Sequence, residues 1–244
     1  SLVLGNMIGS GIFLLPAVLA TFGGISLVGC LISTAGALAF ALVFSQLSQF
    51  YPNTGGLYVY CREEFGESIG FLLAWGYWVS LCVGTAAIST SFTSYASFFI
   101  PILATNKLVA LSCNMAIVWS LTLINAYSLY NGGMMQVVTT VVKIIPIVLI
   151  AFFGLFKMDT SNFVPFNISP LSNTGAIVST ITLTMWAFIG LESASIPADS
   201  IINPKRTIPL ATMLGTILAS VIYISSTVAV MGLVNPHILK MSSA

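Results

Sequence analysis

Two short stretches of this 244-residue chain carry residue types that work against an uninterrupted apolar helix. The first, Gly5-Asn6-Met7-Ile8-Gly9-Ser10-Gly11-Ile12-Phe13, places three glycines, an asparagine and a serine within nine residues of an otherwise apolar segment. The second, Thr184–Asp199 (TMWAFIGLESASIPAD), meets Gly190 and then Glu192, with Ser193, Ser195 and Pro197 close behind. Glycine costs a helix interior about 1 kcal/mol relative to alanine, so both stretches predict broken helices. In a membrane, freed backbone groups are tolerated only where protein covers them or a cavity is lined by them. Half-helix N-termini then present N–H groups that suit a carboxylate, and half-helix C-termini present carbonyls that suit an ammonium. An α-amino acid carries both charges side by side. On this reading Gly9-Ser10-Gly11 permits close approach of an α-carboxylate, Met7, Trp186 and Ile189 offer carbonyls to an α-ammonium, and Gly190 marks the second break. Trp186, four residues before Gly190, is placed to lie over the substrate as an aromatic lid.

Each of these residues also has a plainer reading. Gly5 to Gly9 is a GxxxG, a common means of close approach between membrane helices. Glu192 could sit near the aqueous end of its span, and Trp186 could be an interfacial or core tryptophan. The coincidence of glycine and glutamate favours a site, because a carboxylate at membrane depth costs at least ~2.5 kcal/mol and usually faces a pathway or proton relay.

The elements that must position these residues are apolar. Of the residues 57% are hydrophobic and 5% charged, against about 25% charged in a soluble domain, and the mean hydropathy is +1.04. This is the composition of an integral membrane protein. A formal net charge of +1 provides no basic field for nucleic acid. The four cysteines (Cys30, Cys61, Cys82, Cys113) show no CxxC spacing and read as packing residues. No metal site and no cofactor is expected.

Apolar runs recur at Ser1–Thr21, Ile25–Phe50, Ile69–Phe99, Leu108–Tyr127, Met134–Phe156, Gly175–Ser200 and Ile208–Val234. Each satisfies the ~20 residues a bilayer helix needs, and none alternates as a barrel strand would. The expected fold is therefore all-α with about seven transmembrane helices, the first and sixth discontinuous. Gly-, Pro- and Asn-rich turns separate them, with one longer loop at Lys157–Asn173. The chain reads as cut at both ends, and no secretory signal is expected at its start. Charge leaves orientation tied, with Arg62, Lys205 and Arg206 on one side and Lys107, Lys157 and Lys240 on the other. Breaks in the first and sixth spans match a transporter of two inverted five-span repeats, each beginning with its broken helix.

Four motifs carry a resemblance to a known family: GNMIGSGIFLLPA (Gly5–Ala17), PNTGGLYVYCREEFG (Pro52–Gly66), WAFIGLESAS (Trp186–Ser195) and NPKRTIPLAT (Asn203–Thr212). The chain resembles the amino acid–polyamine–organocation transporters, which have the leucine-transporter fold, and among them the bacterial antiporters of basic amino acids and polyamines. The resemblance implies twelve spans with a cytoplasmic N-terminus in a bacterial inner membrane. Residues 1–156 would then be the first five-helix repeat, and 157–244 the incomplete start of the second. It implies that Ser10 and Gly11 bind the substrate carboxylate and Met7 and Ile189 the ammonium. Trp186 would be the middle gate, Tyr77 its partner on span three, Glu192 the proton-linked gate residue and Tyr58 part of the cytoplasmic gate. Arginine-exchanging members carry an asparagine on span three to meet the guanidinium, and the matching position here is Thr85, a shorter group with different donors. Lys143, eight residues into an apolar run, resembles a built-in replacement for a coupling sodium ion that contacts the unwound backbone of span one. Snorkelling or pairing with a carbonyl is its alternative reading.

Three functions from different classes follow. The first is a sodium-independent, proton-linked antiporter of amino acids, cationic ones or their amine products. The second is a non-transporting membrane subunit or nutrient sensor with the same fold. The third, an intramembrane enzyme, is disfavoured because the chain has no HExxH, no catalytic Ser/His or Asp/Asp pairing and one histidine, His237. Expected partners are the small-molecule amino acid or amine and the lipid bilayer, with a homodimer left open.

Overall fold

A computed structural model describes residues 2–9, 11–127 and 129–239. Its elements are helical: α1 (Leu2–Met7), α2 (Gly11–Leu19), α3 (Ser26–Phe50), α4 (Leu57–Phe65), α5 (Glu67–Ala96), α6 (Ile102–Thr105), α7 (Lys107–Tyr127), α8 (Leu129–Lys157), α9 (Asn173–Met185), α10 (Pro204–Leu233) and α11 (Pro236–Leu239). Short 3₁₀ turns join several of them.

Six helical runs among the described residues are long and apolar enough to cross a membrane: Gly23–Phe50, Glu67–Ala96, Lys107–Tyr127, Gly132–Lys157, Asn173–Ser195 and Pro204–Leu233. At about 1.5 Å per residue the 25 residues of α3 extend about 37 Å, more than the ~30 Å hydrocarbon core. The first of the seven expected spans, residues 1–21 and expected to be discontinuous, is not among these runs. It consists of α1 and α2, six and nine residues long, on either side of the glycine-rich stretch. Glycines at positions 9 and 11 leave the backbone there without the restraint that would favour one continuous helix.

The chain divides into two compact units, Ser1–Val59 with Val137–Ala244, and Tyr60–Gln136. In the second, α5 and α6 both pack on α7. In the first, α10 lies along α3, α3 lies along α9, and α1 rests on α10 and on the turn Leu191–Ser195. The buried faces of α3 and α10 are rich in small and hydroxylated residues. On α3 they are Gly29, Cys30, Ser33, Ala37, Ala41, Ser45 and Ser48, and α10 contributes Thr212, Gly215, Thr216, Ala219 and Ser220 to its own. Large apolar side chains such as Phe40, Phe153 and Leu218 point outward. Because lipid tails are as apolar as leucine, close backbone approach and hydrogen bonding hold such helices together, rather than burial of bulky side chains.

Several hydroxyls inside the bundle are satisfied locally or across helices. Thr216 donates to Thr212 O at 2.8 Å, Ser220 to Thr216 O at 2.7 Å, and Ser33 and Thr184 join α3 to α9 at 2.5 Å. The loop after α8 is held in the same way. Asp159 N donates to Gly232 O at 2.9 Å, and Ile25 N to Phe166 O at 2.7 Å.

Candidate functional site

The last turn of α1 leaves the Gly5 carbonyl without its usual helical partner. An uninterrupted helix would give Gly5 O the N–H of Gly9, but Gly9 N donates instead to Met7 O at 2.9 Å. Gly5 O is taken by a side chain: half-buried Lys143, on α8, donates Nζ to it. A Cβ on Gly9 would meet nothing within 4 Å among the described residues. Ser10 lies outside the described residues. Gly11 opens α2, and a Cβ there would lie 3.6 Å from Cζ3 of Trp186. The indole therefore covers the start of α2 while keeping 63% of its own surface exposed in this chain.

α9 stops at Met185 and gives way to a 3₁₀ turn, Trp186–Phe188. Ile189 is extended (φ −61°, ψ 133°) and Gly190 is left-handed (φ 109°), after which Leu191–Ser195 forms a second 3₁₀ turn. Without a Cβ, glycine adopts that left-handed conformation at no steric cost. Glu192 turns back on this bend, with Gly190 N donating to its Oε2 at 3.0 Å, while Ser195 Oγ donates to Glu192 O at 2.7 Å. Ser193 Oγ is buried with no hydrogen-bond partner among the described residues.

The PNTGG motif closes against the far end of this segment. Asp199 N donates to Thr54 Oγ1 at 3.0 Å and Gly55 N to Ile196 O at 3.2 Å. Gly56 (φ 47°) has Ser195 against its Cα, leaving no room for a side chain. Tyr58 follows directly, at the start of α4, its N–H donating to Gly55 O at 3.1 Å.

The structure thus gathers Met7, Gly9, Gly11, Lys143, Trp186, Ile189, Gly190 and Glu192 into the first unit. Tyr77 and Thr85 lie on α5 in the second, where Thr85 Oγ1 donates to Leu81 O of its own helix at 2.8 Å. One residue escaped the sequence reading. Tyr223 of α10, 4% exposed, places its hydroxyl 2.5 Å from Met7 O and 2.9 Å from Ala187 O. The available signal was its position. Interfacial tyrosines sit at span ends, whereas Tyr223 lies well inside a 30-residue helix.

Apolar spans that touch through small residues, with polar backbone turned inward between them, define a multi-pass membrane protein. The chain belongs to the amino acid permease family, whose model matches residues 1–244. It is 38% identical over 249 residues to the cadaverine/lysine antiporter of Escherichia coli K12, covering 99% of this chain and 54% of that protein. It is 35% identical over 237 residues to the putrescine transporter PotE of Haemophilus influenzae, covering 96% and 54%. With the PotE of Escherichia coli K12 the figures are 33% over 244 residues, 100% and 55%. The chain spans about half the length of these curated relatives.

Proposed function

We propose that this chain is part of a secondary antiporter that exchanges cationic amino acids and their amine products across a bacterial inner membrane. The observation that carries the reading is the contact between Gly190 and the Asn6–Met7 backbone, which sets the non-helical bend at Gly190 against the last turn of α1. Membership of the permease family and similarity to a cadaverine/lysine antiporter and to putrescine transporters support it.

In this reading α1 and α2 are halves of one interrupted span, and α9 with the turns after it begins a second. Ser10 and Gly11 at the start of α2 receive the substrate carboxylate, with Gly9 permitting its close approach, and the carbonyls of Met7, Trp186 and Ile189 face its ammonium. Trp186 is the lid, with Tyr77 and Thr85 on the third span and Tyr58 at the cytoplasmic gate. Lys143, donating to Gly5 O, holds the position where a coupling cation would sit, which makes exchange sodium-independent. Glu192, hydrogen-bonded to the bend at Gly190, links proton occupancy to gating. Residues 1–156 form the first inverted repeat and 157–244 open the second.

The test is uptake by the intact gene product in proteoliposomes, loaded and challenged with a panel of basic amino acids and diamines. Accelerated uptake of one by internal loading of another is the expected result. No exchange with any of them would leave a non-transporting sensor with the same fold.

A further inference from the structure

The Tyr223 phenol has one hydrogen and stands within donating distance of two carbonyls, Met7 O on α1 and Ala187 O in the turn that follows α9. Its ring is held edge-on against Phe188, with centroids 5.6 Å apart, and is buried. Met7 O already accepts Gly9 N–H at 2.9 Å. With the phenol donating as well, both lone pairs of that carbonyl are engaged. A ligand ammonium can therefore bind Met7 O only by displacing a donor. The phenol is the donor with an alternative, because Ala187 O lies 2.9 Å away, whereas the Gly9 N–H is fixed by the local turn.

We infer that Tyr223 is a positioning residue that pins Met7 and Ala187 together through one shared hydrogen, and that a substrate ammonium arriving at Met7 O transfers that hydrogen bond to Ala187 O. Site occupancy is thereby passed to α10. This rests on the transport site proposed above, and it adds a conformational link that the site residues themselves do not provide.

The variant is Tyr223→Phe in the intact gene product, which keeps the ring against Phe188 and removes only the hydroxyl. Without the phenol, Met7 O is open to the ammonium, so binding no longer requires displacement, yet occupancy is no longer relayed. In proteoliposomes KM for L-lysine should fall about threefold or more while the maximal exchange rate falls about tenfold, the combination expected when an interaction strained in the ground state is removed. Affinity for 6-aminohexanoate, which lacks the α-ammonium, should not tighten. A merely structural hydroxyl would instead raise KM for lysine and weaken both ligands alike, and that result, or unchanged kinetics, overturns the inference. Amide hydrogen exchange on the ligand-free protein separates this from failure of the transport reading. If the wild type moves no lysine, the pin still requires the amides of Gly9 and Ile189 to exchange about tenfold faster in Tyr223→Phe, and unchanged exchange at both overturns it.

Discussion

Gly190 stands directly against Asn6. A methyl group on Gly190 would come within 3.0 Å of Asn6 Cβ, 3.1 Å of the Asn6 carbonyl carbon and 3.2 Å of Met7 N. The same glycine holds φ at 109°, so two independent constraints exclude a side chain at this position. One is the conformation of its own backbone, and the other is the backbone it touches.

Gly190→Ala is therefore expected to be destabilising beyond the usual cost of a left-handed alanine, which is about 1–3 kcal/mol for strained backbone. The clash is with Asn6 backbone and Cβ, which cannot rotate away. In contrast Gly9→Ala meets open space and should leave thermal stability in detergent nearly unchanged. Equal melting temperatures for the two variants would show that Gly190 is not packed as described.

Trp186→Leu tests the lid. The ring lies over Gly11 with most of its surface exposed in this chain, so truncation removes little internal packing. A cation–π contact with a substrate ammonium contributes about 0.5–2 kcal/mol. Amine affinity of the intact gene product should fall about 2- to 30-fold, with the melting temperature held. Unchanged affinity for every amine tested would make Trp186 a packing residue.

Asp159 governs a pH-dependent piece of the loop after α8. Its carboxylate accepts Ser161 N at 2.8 Å, and hydrogen bonds from Ser161 hold its carboxyl below the usual aspartate value. A folded-state value below the unfolded one means the contribution is present above the unfolded pKa and lost as pH falls through the folded one. Asp159→Asn should flatten the acid limb of loop stability, read as protease sensitivity of residues 157–173, and leave neutral pH little affected. An acid limb identical to the wild type's would remove Asp159 from that role.

The membrane-spanning helical character was legible because run length and lack of alternation depend on composition alone. Run positions could be read to within a few residues: Leu108–Tyr127 in the sequence is the helix Lys107–Tyr127. Residues 1–21 read as one discontinuous span, because hydropathy sums over the whole run while the glycines at 5, 9 and 11 weaken the helix within it; in the structure the Gly9 N–H turns to Met7 O rather than Gly5 O. The part played by the PNTGG motif was not legible, since Thr54 and Asp199 are 145 residues apart. Tyr223 was missed for a related reason. A phenol in an apolar run reveals nothing of which distant carbonyls will face it.

Lys143→Ala removes the donor to Gly5 O and leaves a helix-end carbonyl without its cationic partner inside the membrane, where an unsatisfied polar group is costly. Exchange should be lost, or should come to require added sodium, if a metal ion can occupy the vacated position. Lys143→Arg keeps the charge in a larger, planar group and should recover only part of the rate. Full sodium-independent activity in Lys143→Ala, measured in potassium and sodium buffers side by side, would exclude the stand-in role.

Glu192→Gln keeps the size of the side chain and an oxygen able to accept the Gly190 N–H while removing the titrating group. The bend at Gly190 should survive, so the folded fraction and melting temperature should change little. If Glu192 links proton occupancy to gating, the pH dependence of exchange should flatten in this variant. Glu192→Ala is the less informative change, because it also leaves Gly190 N without that acceptor next to the Asn6 contact, and its losses would mix coupling with misplacement. The comparison requires internal pH to be clamped, since a drifting gradient would flatten both profiles. Retention of the wild-type pH profile in Glu192→Gln would exclude Glu192 as the proton-linked gate and leave Lys143 as the titratable side chain donating to the end of α1.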